Sequence, residues 1–467
     1  FFFVFVMRWL SSKEPDRRQA AVVLGAGVVG IAAAYELQKE GYTVTVIDRQ
    51  PEAASECSFS NGGHRNFHFN PSIAVPGTPR EFLRSWVSPE STIFLPYSTR
   101  WCTLLWDPDF WQWALRLVPN FSARKVQRNS EAGTQLIRYS QQRTAIIQEQ
   151  HLTVGKVWEW EGSTAVCTEP VPPDKIYKEN EVLLSKEETL QREPCLAYLD
   201  AIKPIYGSIV SNRCFTQDCR KFTSSLESVC KALGLVTMYN TKVTGLSFAD
   251  TGHEHLHQHE QHKADRKQVA TVHTDCGDVQ ADVVVVALGA YTPKFLQPYT
   301  KICVPIYPVR GYAVEMPITP QASANNEVLR TGTLHYSRGF GVHRFDDVLR
   351  VSGLAELRGW DTSVNRDLVI DLFRKRLKTF CGLDLDHVSG GVQNVKTWCG
   401  LRPVTPDNLP MIGQIPGYSN LFICSGHSFH GWALACGSAR ILADIIARRN
   451  PEIDATPFDP RRFRHWW

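Results

Sequence analysis

The chain has 467 residues, too many for one ordinary core, so two or three domains are expected. Apolar residues make up 43% and charged residues 21%, which excludes a disordered class, and a formal charge of +4 is too small to call for nucleic acid. No apolar run approaches the ~18 residues that cross a bilayer, and the thirteen cysteines, odd in number and without a CxxC pair, read as reduced intracellular thiols rather than a disulfide or zinc framework.

The opening FFFVFVMRWLSSKEPDRRQ precedes any periodic element. It lacks a basic leader and makes a poor secretory signal, and Met7 is a candidate start with residues 1–6 a gene-model extension. Arg8, Lys13, Arg17, Arg18 and two serines fit a short mitochondrial presequence, whereas Glu14 and Asp16 argue for a disordered tail over 1–18.

Ala20 to Asp48 reads as strand, glycine turn, helix, strand. Gly25, Gly27 and Gly30 form G-x-G-x-x-G directly after an apolar strand, and Val28 and Val29 open the helix. Gly25 suits the tight turn, Gly27 the approach of a pyrophosphate, and Gly30 close packing of helix on strand. The helix N-terminus offers N–H groups to that pyrophosphate, and Asp48 can accept hydrogen bonds from ribose hydroxyls. The motif leaves NAD and FAD open.

Next comes SECSFSNGGHRNFHFN, residues 55 to 70, a Ser/Asn/Gly loop able to offer N–H groups to a cofactor or to be a surface turn. In WCTLLWDPDFWQWALRLV, 101 to 118, Asp107–Pro108 predicts a helix start, with the tryptophans packing it. An amphipathic helix is expected over 122–151, and mixed strands and turns to 211 suggest a separate domain. A helix over 216–233 ends at Gly234, and strands follow at 235–239, 242–248, 269–274 and 279–288. Between them GHEHLHQHEQH, 252 to 262, reads as a solvated hairpin loop rather than a metal site. The apolar DVVVVALGA running into Gly289 suits a central parallel strand beside a ligand.

Strands at 304–315, 340–344 and 348–354 suggest an antiparallel sheet, followed by a charged helix over 367–380. GLRPVTPDNLPMIG (400–413) and LFICSGHSFHGWALACGSARILADII (421–446) then give a second strand, glycine turn and helix. The tail RRFRHWW is basic and aromatic, either disordered or touching a membrane surface. A simple NAD dehydrogenase gives no reason for this second glycine-rich helix start, whereas a flavin has two regions to hold. The helix start at Gly431 and Trp432 suits the negative charge that develops on a reduced isoalloxazine.

LGAGVVG (24–30), VIDRQP (46–51), SFSNGG (58–63), FTQDCRKFTSSL (215–226), VVVVALGAYT (283–292), VPIYPVRGY (304–312), RFDDVLRVSGLAE (344–356), GLRPVTPDNLPMIG and SGHSFHGWALACGSARILAD occur together. With them the chain resembles the D-amino acid oxidase superfamily of FAD-dependent oxidoreductases over about 20–458, nearest to the D-amino acid dehydrogenase small-subunit type. The resemblance implies an α/β fold, with a Rossmann-like FAD-binding domain and an α+β substrate domain built on an antiparallel sheet. FAD binding falls to 19–66, 212–300 and 400–450, substrate binding to 67–211 and 301–399, and 451–467 is a C-terminal tail. It implies oxidation of a D-amino acid by hydride loss from Cα to a non-covalent FAD, giving oxo acid and ammonia, with electrons passed to a quinone or other acceptor.

By the same likeness Arg402, in GLRP, binds the substrate carboxylate, and Tyr312 adds a hydroxyl or shapes the pocket. Ser60, Asn61 and Gly62 match the second FAD loop, and Val243 the position whose backbone meets adenine. Gly289 closes the third strand, while Arg49 covers adenine or contacts a phosphate. His64, His343, His427 and His430 stand near these motifs but read first as structural. Cys399 lies one position from where some sarcosine-oxidising relatives attach flavin. The alternatives are a glycine/sarcosine-type oxidase and a silent flavin-binding respiratory assembly factor. Localisation is expected to be intracellular, mitochondrial or peripheral to a respiratory membrane.

Overall fold

Strand Ala20–Leu24 is apolar throughout because both of its faces are covered. In the computed structural model, which describes residues 18–65, 68–69, 73–80, 93–94, 104, 106–152, 160–171, 180–249, 267–300, 303–336 and 340–463, it pairs in parallel with Thr43–Ile47 on one side and Val283–Val286 on the other. The presequence question, the histidine-rich stretch and the last four residues lie outside the described residues. The full sheet order is Met411–Gln414, Leu421–Ser425, Val283–Val286, Ala20–Leu24, Thr43–Ile47, Val236–Met238, and only the Met411–Gln414 edge is antiparallel. The chain therefore leaves strand 20–24 toward one side and returns on the other, which opens a crevice at its carboxyl end, above Gly25.

The expected 279–288 strand is two strands. Gly277–Gln280 joins a three-stranded antiparallel sheet with Val243–Phe248 and Val269–Thr274, and Val283–Val286 joins the parallel sheet. Asp282 makes the break: its N–H donates to Ala20 O at 2.8 Å, and its carboxylate accepts from Ala20 N at 2.7 Å.

Helices Val28–Lys39, Cys219–Ala232, Gly431–Ile446 and Ala123–His151 share one core with the parallel sheet. The last lies in the 67–211 segment expected to form substrate domain, yet Leu136, Ile137 and Ile147 are buried in this core. Gly437 is the reason the two long helices meet, since a Cβ there would stand 2.9 Å from Ser140 Cα. Glu36, 1% exposed, is neutralised between Arg143 at 2.9 Å and Arg440 at 3.1 Å. The C-terminal tail corrects an expectation: it is packed rather than disordered up to residue 463, with Phe458 and Phe463 buried and Arg462 2.7 Å from Asp407.

A second, ten-stranded sheet carries Lys396–Val404, Tyr307–Pro317, Val348–Glu356, Phe340–Phe345, Thr333–Tyr336, Trp160–Cys167, Gly207–Thr216 and His64–Arg65 in that order, nearly all antiparallel, with Ile93–Phe94 and Glu181–Leu184 paired to it. Helix Arg366–Cys381 packs on it, and its core is separate from that of the parallel sheet. The predicted start at Asp107–Pro108 holds, Asp107 capping Pro108–Leu117 through Asp109 N and Phe110 N; the helix expected over 216–233 begins later, at Cys219, where Asp218 caps it through Lys221 N at 3.0 Å. The fold is thus a Rossmann-like α/β layer facing an antiparallel sheet. Among the described residues no helix is long and apolar enough to cross a membrane.

Candidate active site

The crevice at Gly25 opens into a cavity of about 850 Å³, near the upper end of the ~300–1,000 Å³ typical of ligand sites. Gly25, Gly27, Val28, Val29, Asp48, Arg49, Ser60, Asn61, Gly62, Val243, Gly289, Tyr312, Arg402, Gly431 and Trp432 all line it. Gly30 does not. A Cβ on Gly30 would fall 1.9 Å from Gly25 O, so its role is the close helix–strand contact. Gly25 has φ 104° and a Cβ there would meet Ala287 O at 2.6 Å, which leaves glycine as the residue for this turn.

Asp48 does more than face the cavity. Its Oδ2 accepts from Ala26 N at 2.7 Å and its Oδ1 from Gln50 N at 2.8 Å, which ties the glycine turn to the second strand. Burial pushes its carboxyl above the ordinary aspartate value, and those two N–H groups pull the other way. Each oxygen keeps a lone pair for a ribose hydroxyl. Arg49 is 2.6 Å from Glu56 and lies 4.1 Å over the Tyr291 ring at the cavity wall. Gly27 caps helix Val28–Lys39 without a side chain, and Ser58 Oγ accepts from Val28 N at 3.1 Å.

The second loop is clamped from the antiparallel sheet. Arg350 donates to Glu315 at 2.7 Å, to the Asn61 carbonyl at 2.9 Å and to Asp218 at 3.0 Å, while Ser60 Oγ donates to Glu315 at 2.6 Å. Sequence reading missed this, because the partners are up to 289 residues apart.

At the other end Arg402, on strand Lys396–Val404, lies across its neighbour strand. Its Nη1 donates to Leu354 O at 2.7 Å and its Nη2 to Gly353 O at 3.4 Å. Leu354 has φ 63°, an uncommon left-handed backbone for a branched side chain, and it brings two successive carbonyls to one guanidinium. The crossing needs Gly311: a Cβ there would sit 2.0 Å from Arg402 Nη1. An isolated glycine inside the strand-like VPIYPVRGY was the available signal. Burial pulls Arg402 below its ordinary value, but arginine starts so high that it stays a cation. Among the described residues no carboxylate is within 4.0 Å of it; the groups acting on its charge are Cys57 and Cys399. Phe429 stacks beneath it at 5.2 Å.

Tyr312 presents its ring to the cavity while its hydroxyl donates to Glu356. His427 also lines the cavity; it is hydrogen-bonded to Ser438 Oγ at 3.1 Å, and burial lowers its pKa to about 3, so it is neutral. His430 caps helix Gly431–Ile446, whose N-terminus lines the cavity. His64 and His343 line the cavity, whereas Cys399 does not; burial raises the Cys399 thiol, which disfavours the nucleophilic thiolate. Among the described residues no cluster of three His, Cys, Asp or Glu side chains could hold a metal ion.

These residues fit FAD. Three glycines clear a path along a helix N-terminus, an acid stands at the ribose position, and a second helix start faces the cavity far from the first. Trp432 Nε1, buried in the wall at that second start, has no hydrogen-bond partner among the described residues and is the kind of donor a bound ring system satisfies. Residues 20–445 match the model of the DAO family, described as FAD dependent oxidoreductase. The chain is 32% identical over 452 residues to a D-amino acid dehydrogenase of Azorhizobium caulinodans, covering 95% of this chain and 99% of that protein. It is 30% identical over 444 residues to a D-amino acid dehydrogenase of Vibrio vulnificus, covering 93% and 97%. The crystal structure of a glycine oxidase from Bacillus cereus superposes with a TM-score of 0.62 over 93% of this chain and 96% of that one, at 16% identity. Both dehydrogenases are bacterial and lend the mitochondrial expectation no support. The chain belongs to the DAO family of FAD-dependent oxidoreductases, with FAD as its cofactor.

Proposed function

We propose that the protein oxidises D-amino acids to 2-oxo acids and ammonia and passes the electrons to a quinone or a comparable acceptor. The observation that carries this reading is Arg402, a partly buried planar cation at the cavity wall with no carboxylate among its described neighbours. Such a group suits a substrate carboxylate taken in two parallel hydrogen bonds. FAD, when bound, supplies a two-electron acceptor for the Cα hydride. Arg402 fixes the carboxylate, Gly311 and the Gly353–Leu354 carbonyls fix Arg402, and Tyr312 with Phe340 and Trp398 walls the side-chain space and excludes water.

In this reading FAD is held non-covalently by 19–66, 212–300 and 400–450, against whose core helix Ala123–His151 packs. The rest of 67–211 and 301–399 binds substrate. A lipid-phase acceptor also implies an intracellular protein with peripheral contact at a respiratory membrane.

The test is anaerobic mixing of the FAD-loaded protein with D- and L-amino acids while following the visible flavin band. Bleaching by D-alanine and not by L-alanine is expected, with slow peroxide formation in air. No bleaching by any D-amino acid overturns the reading, and fast peroxide formation with sarcosine or glycine assigns the oxidase chemistry instead. Gly311→Ala should weaken D-alanine binding roughly 10–100-fold by displacing the guanidinium about an ångström; an unchanged KM would show that Arg402 need not lie across that strand.

A further inference from the structure

We propose that His343, acting through Ser352, accepts the proton that the substrate ammonium must shed before its Cα–H can leave as hydride. This role rests on the D-amino acid reading and names a group that reading does not use.

His343 is 2% exposed, on strand Phe340–Phe345, and both it and Ser352 line the cavity. Its Nε2 is 3.1 Å from Ser352 Oγ and its Nδ1 is 3.0 Å from Thr333 Oγ1, which is itself hydrogen-bonded to Thr216 Oγ1. With Thr333 accepting from Nδ1–H and donating to Thr216, Nε2 is left as an acceptor toward Ser352. The dyad also borders the cofactor loop: a Cβ on Gly62 would stand 2.8 Å from Ser352 Oγ and 3.1 Å from His343 Nε2. Ser352 directly precedes Gly353 and Leu354, whose carbonyls hold Arg402. Carboxylate anchor and proton acceptor thus meet one stretch of strand Val348–Glu356, Ser352 on one side and the Gly353 and Leu354 carbonyls that hold Arg402 on the other.

The charges around His343 come from several elements. Arg350, its partner in register on Val348–Glu356, lies between Glu315 of strand Tyr307–Pro317 and Asp218 at the cap of helix Cys219–Ala232. Those two carboxylates offset the Arg350 cation that stands opposite the ring. Arg344 is turned to the Leu329 and Asp346 carbonyls, His64 lines the same cavity, and Arg402 is one of the cavity's cations, with Arg49, Lys242 and Lys294 also in its wall.

The balance is simple. The ammonium passes a proton to Ser352 Oγ as the Ser352 hydroxyl proton moves to His343 Nε2, giving a neutral amine and an imidazolium. The neutral amine's lone pair then stabilises the carbon that loses its hydride, for which FAD when bound would be the acceptor, and water would hydrolyse the resulting iminium to oxo acid and ammonium.

The test follows anaerobic flavin reduction by D-alanine in wild type and His343→Gln from about pH 6 to about pH 10. The variant should be slowed on the order of 100-fold at neutral pH and converge on wild type at alkaline pH, where the substrate arrives as the free amine. Its spectral response to propionate, a carboxylate without an amine, should match wild type, because Arg402 is untouched. Ser352→Ala, which removes only a hydroxyl, should show the same pH-dependent loss and serves if His343→Gln fails to hold FAD. An equal loss at every pH, or none, overturns the proposal. A wild type that D-alanine never reduces overturns the D-amino acid reading itself, and this role with it.

Discussion

Replacing Arg402 by alanine is expected to raise the apparent constant for a D-amino acid by ~30- to 1,000-fold, equivalent to ~2–4 kcal/mol, with FAD still bound. The guanidinium is the cation placed to meet a carboxylate in the cavity, and alanine leaves that carboxylate desolvated without a partner. The loss should be shared by propionate, which binds without reacting, and it should not be rescued by pH, because arginine stays charged throughout. Arg402→Lys should recover only part of it, since a point charge on a flexible stem cannot pair in two places with a planar group. Measured constants equal to wild type would remove Arg402 from the substrate site.

Arg350→Met should be the most damaging change away from the substrate. Arg350 is buried and holds two carboxylates and a carbonyl, from strand Tyr307–Pro317, the cap of helix Cys219–Ala232 and the loop at Asn61. Methionine fills much of the volume but leaves Glu315 and Asp218 uncompensated, a loss of about 3–5 kcal/mol for a buried pair broken from one side. The loop that presents Ser60, Asn61 and Gly62 to the cavity would lose its tie to the antiparallel sheet. Denaturant unfolding of the apoprotein reads the first effect, and fluorescence titration with FAD the second, as weaker affinity. Unchanged FAD affinity with reduced stability would make Arg350 a purely structural residue.

The glycine turn was legible in the sequence because its geometry is dictated locally: Gly25, Gly30 and Asp48 act within one strand–helix–strand unit. The helix start at Asp107 was legible for the same reason. Much of the rest depends on neighbours distant in the chain. The apolar stripe of residues 123–151 said which face is buried but not against what, and Gly437 and Ser140 decide that. Gly311 looks like a weak point in a strand until Arg402 is seen lying across it. Asp282 broke an apparently continuous strand through a contact 262 residues away. RRFRHWW read as disordered or membrane-facing because Phe463 sits among arginines, one of which, Arg462, pairs with Asp407 only in three dimensions.

The separation of the parts around Glu36 has a consequence for how the protein is made. Helix Val28–Lys39 is apolar on nearly all sides and is covered by helix Gly431–Ile446, and its buried Glu36 meets Arg440 404 residues later. At ~5–20 residues per second of synthesis, the ribosome finishes the first helix roughly 20 to 80 seconds before the segment that covers it. During that interval a greasy helix waits uncovered and its carboxylate has Arg143 but not Arg440, so this unit can reach its final form only after residue 446 has emerged.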